Sequence, residues 1–246
     1  MMNNPLIRKL EQFTRLSGSD RTILDELAST GIRRLGARRD LVREGEKPRA
    51  INLMLDGWAF RYKMLEDGRR QIISFFLPGD LCDLNIYLLR EMDHSIAALT
   101  PLTFCEIPRD TFEQVTERPR IVQALWWDSL VAAAIQREWT VNLGQRNALE
   151  RISHLICELF FRIRGVGLND DSSFFCPITQ NDLAEATGMT SVHVNRTLQE
   201  LRGRGLVHWK GKQVEIPDLG ALCQLALFNQ NYLHLDREGA HLDAND

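Results

Sequence analysis

At 246 residues, 44% hydrophobic and 26% charged, the chain has the make-up of a folded protein of one or two domains. No apolar run is long enough to span a bilayer, and residues 1–13 lack the apolar core of a secretion signal, so the sequence reads as cytoplasmic with no membrane partner. A formal net charge of -3 argues against an indiscriminate coater of nucleic acid but allows a sequence-specific reader, which needs only a local basic face.

Residues 5–31 read as helical. Pro5 can open a helix; Leu6, Ile7, Leu10 and Phe13 give one apolar face, and Ile23, Leu24 and Leu27 give another after a break at Ser17-Gly18-Ser19-Asp20. From 32 to 108 short β-rich runs alternate with turn signals at Glu44-Gly45-Glu46-Lys47-Pro48, Asp56-Gly57, Glu66-Asp67-Gly68 and Pro78-Gly79-Asp80, the texture of an antiparallel roll or barrel. A metal-dependent enzyme on such a barrel needs clustered His and carboxylate ligands, and this stretch has one histidine, His94. Asp93 and His94 adjoin, but neighbours on a strand point to opposite faces. There is no phosphate loop, dinucleotide fingerprint or nucleophile elbow, so no enzyme, metal site or cofactor is expected.

Residues 110–164 return to helix. The run 119–135 is apolar on most faces, so something must cover it on two sides; the barrel is one candidate and a second copy of the chain the other, with Ala132, Ala133 and Ala134 allowing close approach. Residues 142–146 read as a hinge. A new amphipathic helix follows, with Leu149, Ile152, Leu155, Ile156, Leu159 and Phe160 inward; 165–173 is loop and 174–178 a short strand.

Residues 178–206 form two short helices about a tight turn. Thr179 can cap the first, which buries Leu183, Ala184 and Thr187. Gly188 sits where the chain needs a positive φ. Thr190 or Ser191 can cap the second, in which Val194, Leu198 and Leu201 recur at core spacing while Ser191, Val192, Asn195 and Arg196 share the outer face. The fixed offsets of Ala184, Gly188 and Val194 mark a helix-turn-helix, whose second helix, 191–203, enters the major groove of double-stranded DNA. Residues 206–216 are two β-rich runs about Lys210-Gly211-Lys212, the basic-tipped wing of a winged helix. Residues 217–233 read as a further helix, and the last residues, from 237 on, as frayed.

The five cysteines, Cys82, Cys105, Cys157, Cys176 and Cys223, are odd in number, far apart and without a CxxC pair. That argues against a disulfide framework or a Cys-ligated metal and for small buried side chains, with Cys176, beside the motif, as the candidate redox-responsive thiol.

A β-roll, a long dimer helix and a C-terminal winged helix together resemble the Crp/Fnr family of bacterial transcription regulators. The turn Leu77-Pro78-Gly79-Asp80 is similar to the turn in that family's roll, and stretches 192–199 and 229–235 look like an alphaproteobacterial-type branch. The resemblance implies an α+β chain: a cyclic-nucleotide-binding-like β-roll over 1–118, a dimerisation helix and hinge over 119–144, a winged helix-turn-helix over 145–235 and a tail over 236–246. It implies a homodimeric regulator on a palindromic site, with RNA polymerase as a partner if it activates. Ser191, Val192, Asn195 and Arg196 match base-reading positions, and Thr179, Asn181, Thr190, His193 and Lys210 match phosphate-contacting ones; Lys212 joins these from the wing tip. Most relatives carry Glu where Val192 stands. Glu accepts from a cytosine amino group whereas Val meets only a thymine methyl, so the half-site should differ from the usual one.

In the roll, Asp83, His94 and Ser95 fall where cyclic-AMP-binding relatives grip their ligand. A neutral His beside a carboxylate clamps phosphate poorly, and no N-terminal cysteine cluster precedes Cys82, so the cyclic-AMP and iron–sulfur determinants are missing. Haem, the other ligand open to a roll of this kind, would be held through His94 or Cys82. Any small effector is unidentified. The competing reading is an effector-binding module that acts through a protein partner without touching DNA.

Overall fold

The computed structural model describes residues 4–84, 86–169 and 171–235. The tail from 237 on, read as frayed, lies outside the described residues. Two compact units emerge: residues up to 62 with 75–133 form one, and residues 63–74 with 134–233 the other. Among the described residues no helix is long and apolar enough to cross a membrane.

In the first unit, α1 (Pro5–Leu10) starts at Asn4, whose side chain accepts from the Leu6 N–H at 3.0 Å. Helix α2 (Gly18–Ser29) starts at the predicted break because Ser17 and Asp20 cap each other's backbone N–H groups. The roll follows as β1 (Ile32–Leu35), β2 (Asp40–Val42), β3 (Ile51–Asp56), β4 (Ala59–Met64), β5 (Arg70–Phe76), β6 (Leu81–Cys82), β7 (Ser95–Ala98) and β8 (Leu102–Ile107), of which residues 63–74, the end of β4 and most of β5, group with the second unit. They form two four-stranded sheets, ordered β1-β8-β3-β6 and β2-β7-β4-β5. Met54, Phe76, Cys82, Ile96 and Phe104 pack in one core cluster. In a second, Leu6, Leu10, Leu24 and Leu27 pack with Ile51, Leu53, Ile107, Ile121 and Leu125.

The Leu77-Pro78-Gly79-Asp80 turn shows why a glycine stands there. Gly79 has φ 93°, and a Cβ on it would lie 2.6 Å from the Pro5 carbonyl oxygen. Asp80 accepts from the Leu77 N–H at 2.7 Å and pairs with Lys9 at 2.8 Å, and Lys9 also pairs with Asp128 at 2.6 Å. Burial works against the ammonium, but Asp128 and Asp80 outweigh it and hold Lys9 well above the ordinary lysine range.

After α3 (Arg109–Thr116), α4 (Pro119–Gly144) runs unbroken past the expected hinge residue Asn142. The chain is non-helical only over 145–147, so the bend is shorter than predicted. Ile121, Ala124 and Leu125 face the first unit's core, while Trp126 and Leu130, one turn apart, are 68% and 63% exposed.

The second unit holds the end of α4, then α5 (Ala148–Gly165), β9 (Ser173–Phe175), α6 (Gln180–Thr187), α7 (Ser191–Gly203), β10 (His208–Lys210), β11 (Gln213–Glu215) and α8 (Leu219–Leu225). Asn147 and Glu150 cap α5 reciprocally. Its face bearing Ile152, Leu155, Leu159 and Phe160 is buried, as are Leu183, Val194, Leu201, Val214 and Leu222. The helix predicted over 217–233 stops early: α8 ends at Leu225, Leu227 takes φ 51°, and a single 3₁₀ turn covers Gln230–Leu233.

Candidate nucleic-acid interface

Helix α6 begins with a capping box, in which Thr179 Oγ1 accepts from the Asp182 N–H at 3.2 Å and the Asp182 carboxylate accepts from the Thr179 N–H at 2.9 Å. It ends on Gly188 at φ 66°, the left-handed residue that the sequence demands. Thr190, not Ser191, caps α7, accepting from the His193 N–H at 3.2 Å. Val194 and Leu201 are buried as expected, but the third inward residue is Thr197 rather than Leu198, which is half-buried. Thr197 avoids an unsatisfied hydroxyl by donating to the His193 carbonyl at 3.0 Å.

The outer face of α7 presents Ser191, Val192, Asn195 and Arg196 together, all exposed, with Val192 at 73%. Ser191 donates to Asn181 Oδ1 at 2.7 Å and Asn195 to Gln180 Oε1 at 3.3 Å, which fixes both against the start of α6. Arg196 makes no hydrogen bond or ion pair with the described residues, so its guanidinium is uncommitted. Asn181, Thr190 and His193 are exposed at the same end of the motif. Thr179, matched from sequence to a phosphate-contacting position, is exposed; its hydroxyl donates to Asp182 at 2.7 Å and its N–H also goes to Asp182.

The wing pairs His208 with Glu215, Trp209 with Val214 and Lys210 with Gln213, and β9 adds a third strand along β11. Its two-residue turn is Gly211-Lys212, with Gly211 at φ 61°. The Lys210 and Lys212 side chains are exposed there and make no ion pair with the described residues. A groove of about 450 Å³ separates wing from recognition helix, lined by Gln180, Asn195, Gln199, Arg202, Trp209 and Lys212 among others. Arg202 bridges it by donating to the Trp209 carbonyl at 3.2 Å, a helix-to-wing link that linear spacing does not reveal.

Sequence reasoning also missed Arg151. Its guanidinium donates to the carbonyls of Asn142 (3.0 Å) and Leu143 (3.0 Å) at the end of α4, of Arg146 (2.9 Å) in the bend, and of Thr187 (2.8 Å) at the end of α6. One side chain thereby gathers the negative ends of two helix dipoles. Behind α5, Glu158 is fully buried and accepts from Trp139 (3.1 Å), Tyr232 (3.1 Å) and Arg162 (3.3 Å). Burial pushes its carboxyl above the ordinary range despite these donors. Tyr232 ties the 229–235 stretch to this acid.

In the roll, the structure brings together two of the three expected pocket residues, Asp83 and His94, and adds Arg61 and Asp93 to them. Asp83, at φ 57°, pairs with Arg61 on β4 and accepts from His94 Nε2 at 2.9 Å, while His94 Nδ1 meets Asp93 at 2.6 Å. Asp93 and His94 lie just before β7 rather than on a strand, which is why they touch instead of pointing apart. Arg61 lies over the Phe76 ring, 4.9 Å from its centroid. Burial disfavours the Asp83 carboxylate, but the His94 hydrogen bond and the Arg61 guanidinium win and hold it below the ordinary range. Ser95 stays out of this cluster, accepting from the Glu44 N–H at 3.0 Å. Both His94 nitrogens are engaged, and burial keeps the Cys82 thiol protonated, so neither is set up as a haem ligand.

Comparison with known proteins agrees with this layout. Residues 32–118 match the cyclic nucleotide-binding domain and residues 150–225 the Crp-like helix-turn-helix domain. The chain is 27% identical over 195 residues to the transcriptional activator protein FnrL of Cereibacter sphaeroides, covering 77% of this chain and 78% of that one. It is 31% identical over 156 residues to the nitrogen fixation regulation protein FixK of Bradyrhizobium diazoefficiens, covering 63% and 64%. The solved structure of FixK2 from Bradyrhizobium japonicum superposes with a TM-score of 0.71 at 22% identity, over 79% of this chain and 96% of that one. A roll followed by a long helix and a winged reading head, matched domain by domain and by relatives of the same build, makes this chain a member of the Crp/Fnr family of DNA-binding transcription regulators.

Proposed function

We propose that the protein works as a homodimer that sets α7 of each copy into the major groove at the two halves of a palindromic site, about 34 Å apart. The observation that carries this is the uncommitted Arg196 on an open face with Ser191, Val192 and Asn195, beside the basic wing tip. Arg196 pairs with a guanine through O6 and N7, and Val192 packs on a thymine methyl. Asn181, Thr190, His193, Lys210 and Lys212 hold the phosphates and set register. The second copy covers the apolar face of α4 that leaves Trp126 and Leu130 bare. Since FnrL is an activator by name, we extend that role to this chain, with RNA polymerase as the protein it contacts.

The roll contributes no enzyme chemistry in this reading. Its Arg61 is already matched by Asp83, so an anionic effector such as a cyclic nucleotide must displace a buried carboxylate to reach the guanidinium. DNA reading therefore proceeds without an added ligand.

Selection from a random duplex pool by the purified protein, at near-physiological salt and with no ligand, tests this. An enriched palindrome with a guanine and a thymine at neighbouring half-site positions is expected. A folded dimer that enriches nothing, yet retains a protein partner from extract, would replace the reading with that of a module acting through another protein.

A further inference from the structure

Two of the five cysteines lie in contact. Cys157 on α5 and Cys223 on α8 have their sulfurs 3.8 Å apart, although 66 residues separate them in the chain. Both are free thiols. They differ in access: Cys157 is fully buried, while Cys223 is partly exposed. They differ in acidity too. Hydrogen bonding to Cys223, then burial, pushes the Cys157 thiol up; the same bond, helped by the Arg164 guanidinium, pulls Cys223 down against the cost of burial. A partly exposed thiol made more acidic, in contact with a buried one held protonated, is the division of labour of an attacking and a resolving cysteine. The other three lack this arrangement. Cys105 donates to the carbonyls of Leu27 and Thr30, Cys82 is fully buried, and burial pushes Cys176 up to about 12. Cys176, the thiol singled out from sequence position, is thus among these three.

We propose that Cys157 and Cys223 are an oxidisable dithiol that closes to an intramolecular disulfide when the protein meets a peroxide. The Cys223 sulfur attacks one peroxide oxygen, the O–O bond breaks, and the departing oxygen takes up the proton that the Cys223 thiol gives up, leaving as water when the peroxide is hydrogen peroxide. Cys223 is left as a sulfenic acid. The Cys157 sulfur then attacks the Cys223 sulfur; the S–S bond forms, the S–O bond breaks, and the hydroxide leaves with the Cys157 proton as a second water. Two thiols lose two electrons and the peroxide gains them. Closure shortens the sulfur separation to about 2.05 Å, so the sulfurs approach by less than about 2 Å. The loop it closes contains α6, α7 and the wing. The bond therefore encircles every element that reads DNA and stiffens the head against unfolding.

The test uses the full-length protein and does not depend on its reading DNA. It is exposed to equimolar hydrogen peroxide, its remaining thiols are alkylated, and it is digested without reductant for mass spectrometry. The expected result is a peptide pair linked through Cys157 and Cys223, at monomer mass on a denaturing non-reducing gel and reversed by dithiothreitol. The melting midpoint of the head should rise by about 5 °C or more. Cys223→Ser, a change at the partly exposed partner, should abolish both effects, and Cys176→Ser should leave both intact. Folded wild-type protein whose Cys223 passes to the sulfinic acid with no linked pair overturns the proposal, as does linkage of Cys223 to any other cysteine.

Discussion

At the scale of single residues, the interface separates groups that hold the fold from groups left open. Arg196 is open, with no hydrogen bond or ion pair to the described residues, and the proposed complex gives it one bidentate contact with a base. Arg196→Ala should weaken specific binding by about 1–3 kcal/mol and flatten preference at one base of each half-site, with an unchanged melting temperature. Equal preference at every position in wild type and variant would remove Arg196 from the reading set. Asp83 is the opposite case, a buried carboxylate that neutralises Arg61 and binds His94. Asp83→Asn strands that guanidinium and should cost about 2–4 kcal/mol in urea unfolding at neutral pH. Because the folded state depresses the Asp83 pKa, its contribution is present above about pH 4 and is lost as pH falls through the lower folded value. The deficit of the variant should therefore shrink in strong acid; a deficit that is constant down to that range would mean the charge is not what matters.

At the scale of elements, the helix-turn-helix was legible because its constraints are local. Gly188 marks a position that needs positive φ, Thr190 is a cap, and Val194 and Leu201 keep core spacing. Spacing failed where a polar group solved a burial problem by bonding its own helix: Thr197 took the inward position expected of Leu198. It failed again at 217–233, where apolar residues at helical intervals concealed the left-handed turn at Leu227. Long-range polar partners such as Arg61 with Asp83, Arg202 with Trp209 and Glu158 with Tyr232 have no periodic signature at all. Arg151 is the most consequential of these. Lysine keeps its charge but not the planar fork that serves several carbonyls at once. Arg151→Lys should destabilise the second unit by about 2–4 kcal/mol and slow its binding to the selected operator. A stability within about 0.5 kcal/mol of wild type would show that the bend between α4 and α5 holds itself.

At the scale of the whole molecule, pH and assembly are the accessible controls. His154 is buried against Phe228 and Tyr232, its pKa lowered to about 3 by burial and by the Arg146 guanidinium. Glu138 Oε1 lies 3.2 Å away but off the hydrogen-bonding direction, and is claimed by Arg146 at 2.5 Å. The folded imidazole therefore stays neutral while the unfolded one takes a proton near pH 6.5, so its contribution is full above that value and is lost as pH falls toward 3. Glu158, raised by burial, works in the opposite sense at the acid end of that window. Between about pH 6.5 and 5, stability of the second unit should fall by about 1.4 kcal/mol per pH unit, and His154→Phe should remove that slope. Urea midpoints across that range decide it. In the proposed assembly a second copy covers the bare face of α4, so Trp126→Glu should leave a folded monomer by sedimentation that no longer holds the palindrome. A roll that furnishes its own counter-ion also changes what a cell would have to regulate. On the proposed ligand-independent reading, with Asp83 seated against Arg61, the input becomes the amount of polypeptide, and where monomer predominates a doubling of that amount raises the dimer about fourfold, so promoter occupancy would follow synthesis and turnover as a second-order response.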